Sequence, residues 1–125
     1  PCCDARAFDY PRGSDTPGRC QTWDHRRMIA AFSITPLGIG DSVGASVSEA
    51  VRIVRDSGLS NETNAMFTNV EGEWDEVMAV IKACVDKVAE TAPRVSLVIK
   101  VDHRPGAVDA LHHKVEAIES HLQQG

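Results

Sequence analysis

Strand-period runs at residues 29–35 and 94–102, a Thr- and Asn-rich hairpin between them, and two amphipathic helices flanking that hairpin predict an α+β fold. The order strand, helix, strand, strand, helix, strand is the split βαβ arrangement. The expected architecture is therefore a ferredoxin-like βαββαβ antiparallel sheet with an additional C-terminal helix. A chain of 125 residues with 42% apolar and 25% charged side chains suits one domain of this kind. With aromatics at 5%, its core must be aliphatic.

The first strand alternates Ala30, Phe32 and Ile34 against Ile29, Ala31, Ser33 and Thr35. A Pro36-Leu-Gly-Ile-Gly loop follows, and Asp41 or Ser42 is placed to cap a helix running to about Asp56. Val43, Val47, Ala50, Val51 and Val54 share one face of that helix, and Gly58 is a suitable stop. Residues 61–71 read as two short strands turning near Met66, with Glu71-Gly72 closing the hairpin. Across 73–90 the helical period is clearest: Trp74, Val77, Met78, Ile81, Cys84, Val85 and Val88 form the apolar face. Asp75 and Glu76 then complement the helix dipole, and Cys84 is a small buried apolar residue. The last strand, 94–102, puts Leu97, Ile99 and Val101 on one face and Ser96, Val98, Lys100 and Asp102 on the other. After Pro105-Gly106, Val108, Leu111, Val115, Ile118 and Leu122 mark a final helix that covers the sheet or meets a neighbouring subunit. Both faces of the first strand are apolar, so the second face of the sheet is expected to be buried as well, by self-association.

Composition changes near Met28. Residues 1–27 hold five Arg, no Lys and no helical or strand period, and the chain begins with Pro1 rather than Met. They read as a disordered or appended extension, with the folded domain at 28–125. That domain carries eight Lys and Arg against fourteen Asp and Glu, within a chain of formal net charge -5. An acidic surface is unsuited to phosphate binding, so nucleic acid is not an expected partner. No apolar run is long enough to span a bilayer, and no signal-peptide pattern precedes the domain. Three of the four cysteines, Cys2, Cys3 and Cys20, lie in the extension. With Cys84 alone in the domain and no CxxC, neither an internal disulfide nor a zinc site is expected there, and a cytoplasmic location fits.

No GxSxG, P-loop, HExxH or dinucleotide fingerprint occurs. Gly38-Ile39-Gly40 precedes a helix start, where an anion can bind, but Asp41 repels one and a structural turn accounts for it. His112 and His113 are adjacent on a helix, about 100° apart, and do not converge on one metal. What remains is a polar ladder: Ser33 and Thr35 on the first strand, Thr68 and Glu71 in the hairpin, and Lys100, Asp102 and Arg104 on the last strand. Carboxylates at these positions accept hydrogen bonds from an aminopyrimidine or face a cationic ring, with Phe32 or Phe67 as a stacking plane. The alternatives are a solvated strand face, or an ion-pair network joining subunits.

Three blocks carry a resemblance: Ala31-Phe-Ser-Ile-Thr-Pro-Leu-Gly-Ile-Gly, Asn69-Val-Glu-Gly-Glu-Trp-Asp-Glu-Val and Val98-Ile-Lys-Val-Asp-His-Arg. In this order they resemble the small thiamine-binding protein family, from about Met28 to Gln123. The resemblance implies a ferredoxin-like fold and a non-enzymatic, cytoplasmic binder of thiamine or its hydroxymethylpyrimidine part, without a cofactor. It also implies a homodimer or homotetramer assembled through the sheets. Ser33, Pro36, Glu71, Lys100, Asp102 and Arg104 match the family pattern, whereas His103 stands where a second acid is common. The candidate ligand-binding set is Ser33, Thr35, Phe67, Thr68, Glu71, Lys100, Asp102 and Arg104. A structural or regulatory oligomer with no small ligand is the alternative function. An acylphosphatase-type enzyme on the same fold lacks the arginine that its first-strand exit loop needs.

Overall fold

The computed structural model describes residues 27–41 and 43–125. The proposed extension, its cysteines and the cap at Ser42 lie outside the described residues, except that Arg27 is the first residue of the sheet rather than the last of the extension. The elements run β1 (Arg27–Leu37), α1 (Val43–Asp56), β2 (Ser60–Thr63), β3 (Thr68–Glu73), α2 (Trp74–Ala89), β4 (Arg94–His103) and α3 (Ala110–Leu122). The four strands form an antiparallel sheet in the order β2-β3-β1-β4. This is the expected α+β, ferredoxin-like arrangement with its extra helix.

The period of two in β1 fixes both layers. Met28, Ala30, Phe32 and Ile34 are buried against α1 and α2, with Ala50, Val54, Val77, Ile81, Cys84 and Val88 completing an aliphatic core. Register then assigns every other strand residue to a face. Val101, Ile99 and Leu97 lie opposite Ala30, Phe32 and Ile34, on the helix side. Asp102, Lys100, Val98 and Ser96 lie opposite Ile29, Ala31, Ser33 and Thr35, on the other side. Cys84 is fully buried, its Sγ–H donating to the Ala50 carbonyl at 3.3 Å, and burial pushes its thiol up to about 11.

Two expectations are corrected. Glu71-Gly72 does not close the hairpin, because β3 continues to Glu73 and Gly72 pairs with Met28. A side chain at Gly72 would meet Leu59 and Val77 at 3.1–3.2 Å, so the missing Cβ is what lets the strand run under α2. Trp74 belongs to the helical stripe by spacing but remains 41% exposed. It is the first residue of α2, where the chain is still leaving the sheet, and its ring instead meets His103 edge-on at 6.1 Å.

Candidate functional site

One row across the open face organises the site. Ser60 pairs with Glu71, Glu71 with Ile29, and Ile29 with Asp102. Opposite residues in antiparallel strands share a face, so two carboxylates stand two strand spacings apart, about 9–10 Å, with Ile29 between them. Helix α3 lies over this row and is fastened to both. Its backbone N–H groups at Ala110 and Leu111 donate to the two Glu71 carboxylate oxygens at 3.0 and 2.9 Å. One turn later, Lys114 donates to Asp102.

Glu71 therefore performs the capping that α3 does not perform for itself. Asp109, the N-cap residue, sits at φ 53° and makes no capping hydrogen bond with its side chain. The orphan N–H groups of the first turn and the positive end of the helix dipole are met by a carboxylate from another element. Glu71 is only 3% exposed, and the Arg27 guanidinium stands 3.6 Å away. The Asp109 carboxylate accepts instead from His112 Nδ1–H at 2.5 Å. That bond draws the Asp109 carboxyl below its ordinary value and raises His112 above its own.

Between α3, the loop after β4 and the open face is a cavity of about 410 Å³. Its polar lining comes from Arg27, Glu71, Asp102, Arg104, His113 and Lys114, and its apolar lining from Ile29, Ala107, Val108 and Ala117 among others. Of the candidate set, Glu71, Asp102 and Arg104 meet here. Ser33, Phe67 and Thr68 line a second cavity of about 210 Å³, between α1 and the β2–β3 turn. Thr35 and Lys100 are on the open face but line neither of these two. Phe32 is 4% exposed and belongs to the core; it borders the smaller cavity and offers no stacking plane to the one under α3.

His103 lies opposite Met28, on the helix side, and its Nδ1–H donates to the Arg27 carbonyl at 3.0 Å. It does not line the larger cavity, so the departure from the family's acid there leaves that lining unchanged. Sequence reasoning missed Arg27, Ile29 and Lys114. The strand period continuing back from Ile29 through Arg27 was the available signal for the first two. Lys114 is marked only by lying four residues after Ala110, on the same helix face. Among the described residues, no group of three or more His, Cys, Asp or Glu side chains is arranged to hold a metal.

Comparison with known proteins bears on this geometry. The profile of a family described as Thiamine-binding protein matches residues 30–119. A UPF0045 protein of Mycobacterium bovis is 58% identical over 96 residues, which cover 76% of this chain and 94% of that protein. The crystal structure of a hypothetical protein from Methanocaldococcus jannaschii aligns with a TM-score of 0.70 at 35% identity, covering 75% of this chain and 97% of the other. A Thermotoga maritima protein provisionally described as one of thiamine biosynthesis or salvage aligns with a TM-score of 0.65, covering 73% of this chain and 98% of that one. At 19% identity, that last likeness concerns the fold.

Proposed function

The chain belongs to the thiamine-binding protein family, and we propose on that premise that it is a cytoplasmic, non-enzymatic binder of thiamine or a thiamine-related pyrimidine. The observation that carries this reading is the cavity beneath α3, with the Asp102 carboxylate in its lining and Ile29 on its floor. Its volume falls within the ~300–1,000 Å³ usual for small-molecule sites. Thiamine combines a cationic ring with an aminopyrimidine, and both are recognised by a carboxylate beside an apolar wall. Asp102 is half exposed, and its partner Lys114 is a flexible surface side chain, so a ligand cation can take the place of the lysine. Glu71 is a positioning residue: it holds α3 in place as the roof. Arg104, on the loop side, suits an anionic substituent such as a phosphate. Lys100, Thr35 and Ser33 share the open face, and Phe67 and Thr68 border the smaller cavity, where they would contact ligand only from a second subsite.

Self-association as a homodimer or homotetramer belongs to the same proposal. Val98 on the open face and Val115, Ile118 and Leu122 on α3 are 53–69% exposed, an apolar surface that a second subunit would cover. Nucleic acid is not a proposed partner. Among the described residues no helix is long and apolar enough to cross a membrane.

One observation favours a second reading, a structural or regulatory oligomer without ligand. Both carboxylates of the row already hold α3, Glu71 through backbone N–H groups and Asp102 through Lys114. Calorimetric titration with thiamine, its phosphates and hydroxymethylpyrimidine separates the two. Saturable heat near one ligand per chain supports binding, and no heat with any of them leaves the structural reading.

A further inference from the structure

The cavity under α3 gathers positive charge in an acidic domain. The described residues hold nine Lys and Arg against fourteen Asp and Glu. This one lining takes three of those cations, Arg27, Arg104 and Lys114, but two of the carboxylates, Glu71 and Asp102. The two carboxylates are not equally available. Glu71 is buried and committed to the α3 backbone, with Arg27 beside it. Asp102 is half exposed and is met by Lys114, itself half exposed. Among the described residues Arg104 has no ion-pair partner, and the buried Arg27 Nε–H has no acceptor. The lining therefore has donors and positive charge to spare, and its one exchangeable carboxylate is held by a lysine.

We propose that Lys114 is the specificity-determining residue of this site. Before a ligand enters, it neutralises Asp102. It then yields Asp102 to the cationic ring and turns with Arg104 onto a phosphate, so the preferred ligand is a phosphate ester of thiamine rather than thiamine itself. This rests on the reading of the cavity as a thiamine site. A ring cation that takes Asp102 adds to the positive excess of the lining and leaves Lys114 beside Arg104 with no counter-charge, and such charges repel. A phosphate on the same ligand brings about −1.5 to −2 charges near neutrality, which removes the excess. The spacing suits it. Arg104 is two residues beyond Asp102, about 6.5 Å along an extended chain, the reach of a phosphate joined to a ring by a two-carbon arm. An exposed ion pair contributes little, so the exchange at Asp102 is easy. The lysine ammonium rides on a flexible four-carbon stem, and Glu71 holds α3, so Lys114 changes partner without moving the helix.

Calorimetric titration of the full chain with thiamine and with thiamine monophosphate tests it, in the wild type, Lys114→Met and Lys114→Arg. Methionine keeps a long unbranched side chain without the charge, at a half-exposed position where folding is not at stake. The wild type should bind the monophosphate about tenfold or more tightly than thiamine, the effect of one added charge-assisted hydrogen bond. Lys114→Met should weaken the monophosphate by about tenfold or more and leave thiamine unchanged or tighter, because the rival for Asp102 is gone. Lys114→Arg should keep the preference. A residue that merely held α3 in place would not move the two ligands in different directions. Equal affinity for both ligands in the wild type overturns the proposal, and so does a Lys114→Met chain that loses affinity for both alike. Those results leave thiamine binding standing, whereas a wild type that binds neither ligand removes the thiamine reading and this proposal with it.

Discussion

The Glu71 carboxylate, on a central strand, accepts the backbone N–H of Leu111 at 2.9 Å, forty positions further along the chain. Its second oxygen accepts the N–H of Ala110. Removing this group should loosen α3 as a unit. Hydrogen bonds to a charged partner contribute about 1.5–3 kcal/mol, and a buried N–H left unpaired costs about 1–3 kcal/mol. Glu71→Gln keeps one acceptor and turns a donor toward the other N–H, so a loss of about 1–3 kcal/mol is expected in urea unfolding. Glu71→Ala should in addition make the Ala110 and Leu111 amides exchange faster than the global unfolding rate allows, with Ile81 tracking global stability only.

Asp109 and His112 give α3 a dependence on pH. The carboxyl of Asp109 is held below its ordinary value by the His112 hydrogen bond, so its contribution is present above the unfolded value of 3.8 and is lost as pH falls through the lower folded value. His112 is raised by the same bond, so its contribution is full below 6.5 and is lost as pH rises through the higher folded value. The pair therefore stabilises most between those two unfolded values. His112→Gln should increase amide exchange in the first turn of α3 at pH 5.5 and change it little at pH 8.5.

Gly38 sits at φ +84°, and a Cβ there would stand 2.8 Å from Cγ of Pro93. Gly38→Ala combines a left-handed backbone cost of roughly 1–2 kcal/mol with that overlap. Thermal unfolding should show the loss. Adding Pro93→Ala should recover the steric part and leave the backbone part, so the double variant should melt between Gly38→Ala and the parent.

Burial raises the Cys84 thiol to about 11, which leaves almost no thiolate near neutrality. Iodoacetamide at pH 8 should leave the Cys84 peptide unmodified in the native protein and alkylate it fully in guanidinium. Rapid native labelling would mean that the α1–α2 interface opens far more readily than its packing suggests.

Periodicity made the sheet and helices legible in the sequence. The alternation in β4 placed Lys100 and Asp102 on the open face, and the stripe from Val77 to Val88 marked the buried face of α2. In β1 the alternation separated Ala30, Phe32 and Ile34 from Ile29 and Ala31, but with both sets apolar it left open which of them meets the helices, so Phe32 read as a stacking plane although it lies in the core. These are local patterns, and burial on one face enforces them. What stayed hidden depended on pairing across the chain. Glu71 and Lys114 meet α3 and Asp102 through contacts separated by many residues, and no spacing encodes them. Phe67 and Thr68 were grouped with Asp102 because they share a sheet, yet the hairpin turn carries them to a different cavity. Trp74 shows the limit of the helical wheel at a helix end, where a position on the apolar stripe has no sheet beneath it.

Asp102 is the residue on which the ligand reading turns. Calorimetric titration of thiamine into the wild type and Asp102→Asn isolates it, because the amide keeps the shape and one acceptor oxygen and removes the charge. The account predicts saturable binding by the wild type and a loss of about tenfold or more in affinity for the variant, near 1.4 kcal/mol. Equal affinity in the two proteins, or no binding by the wild type, would contradict it.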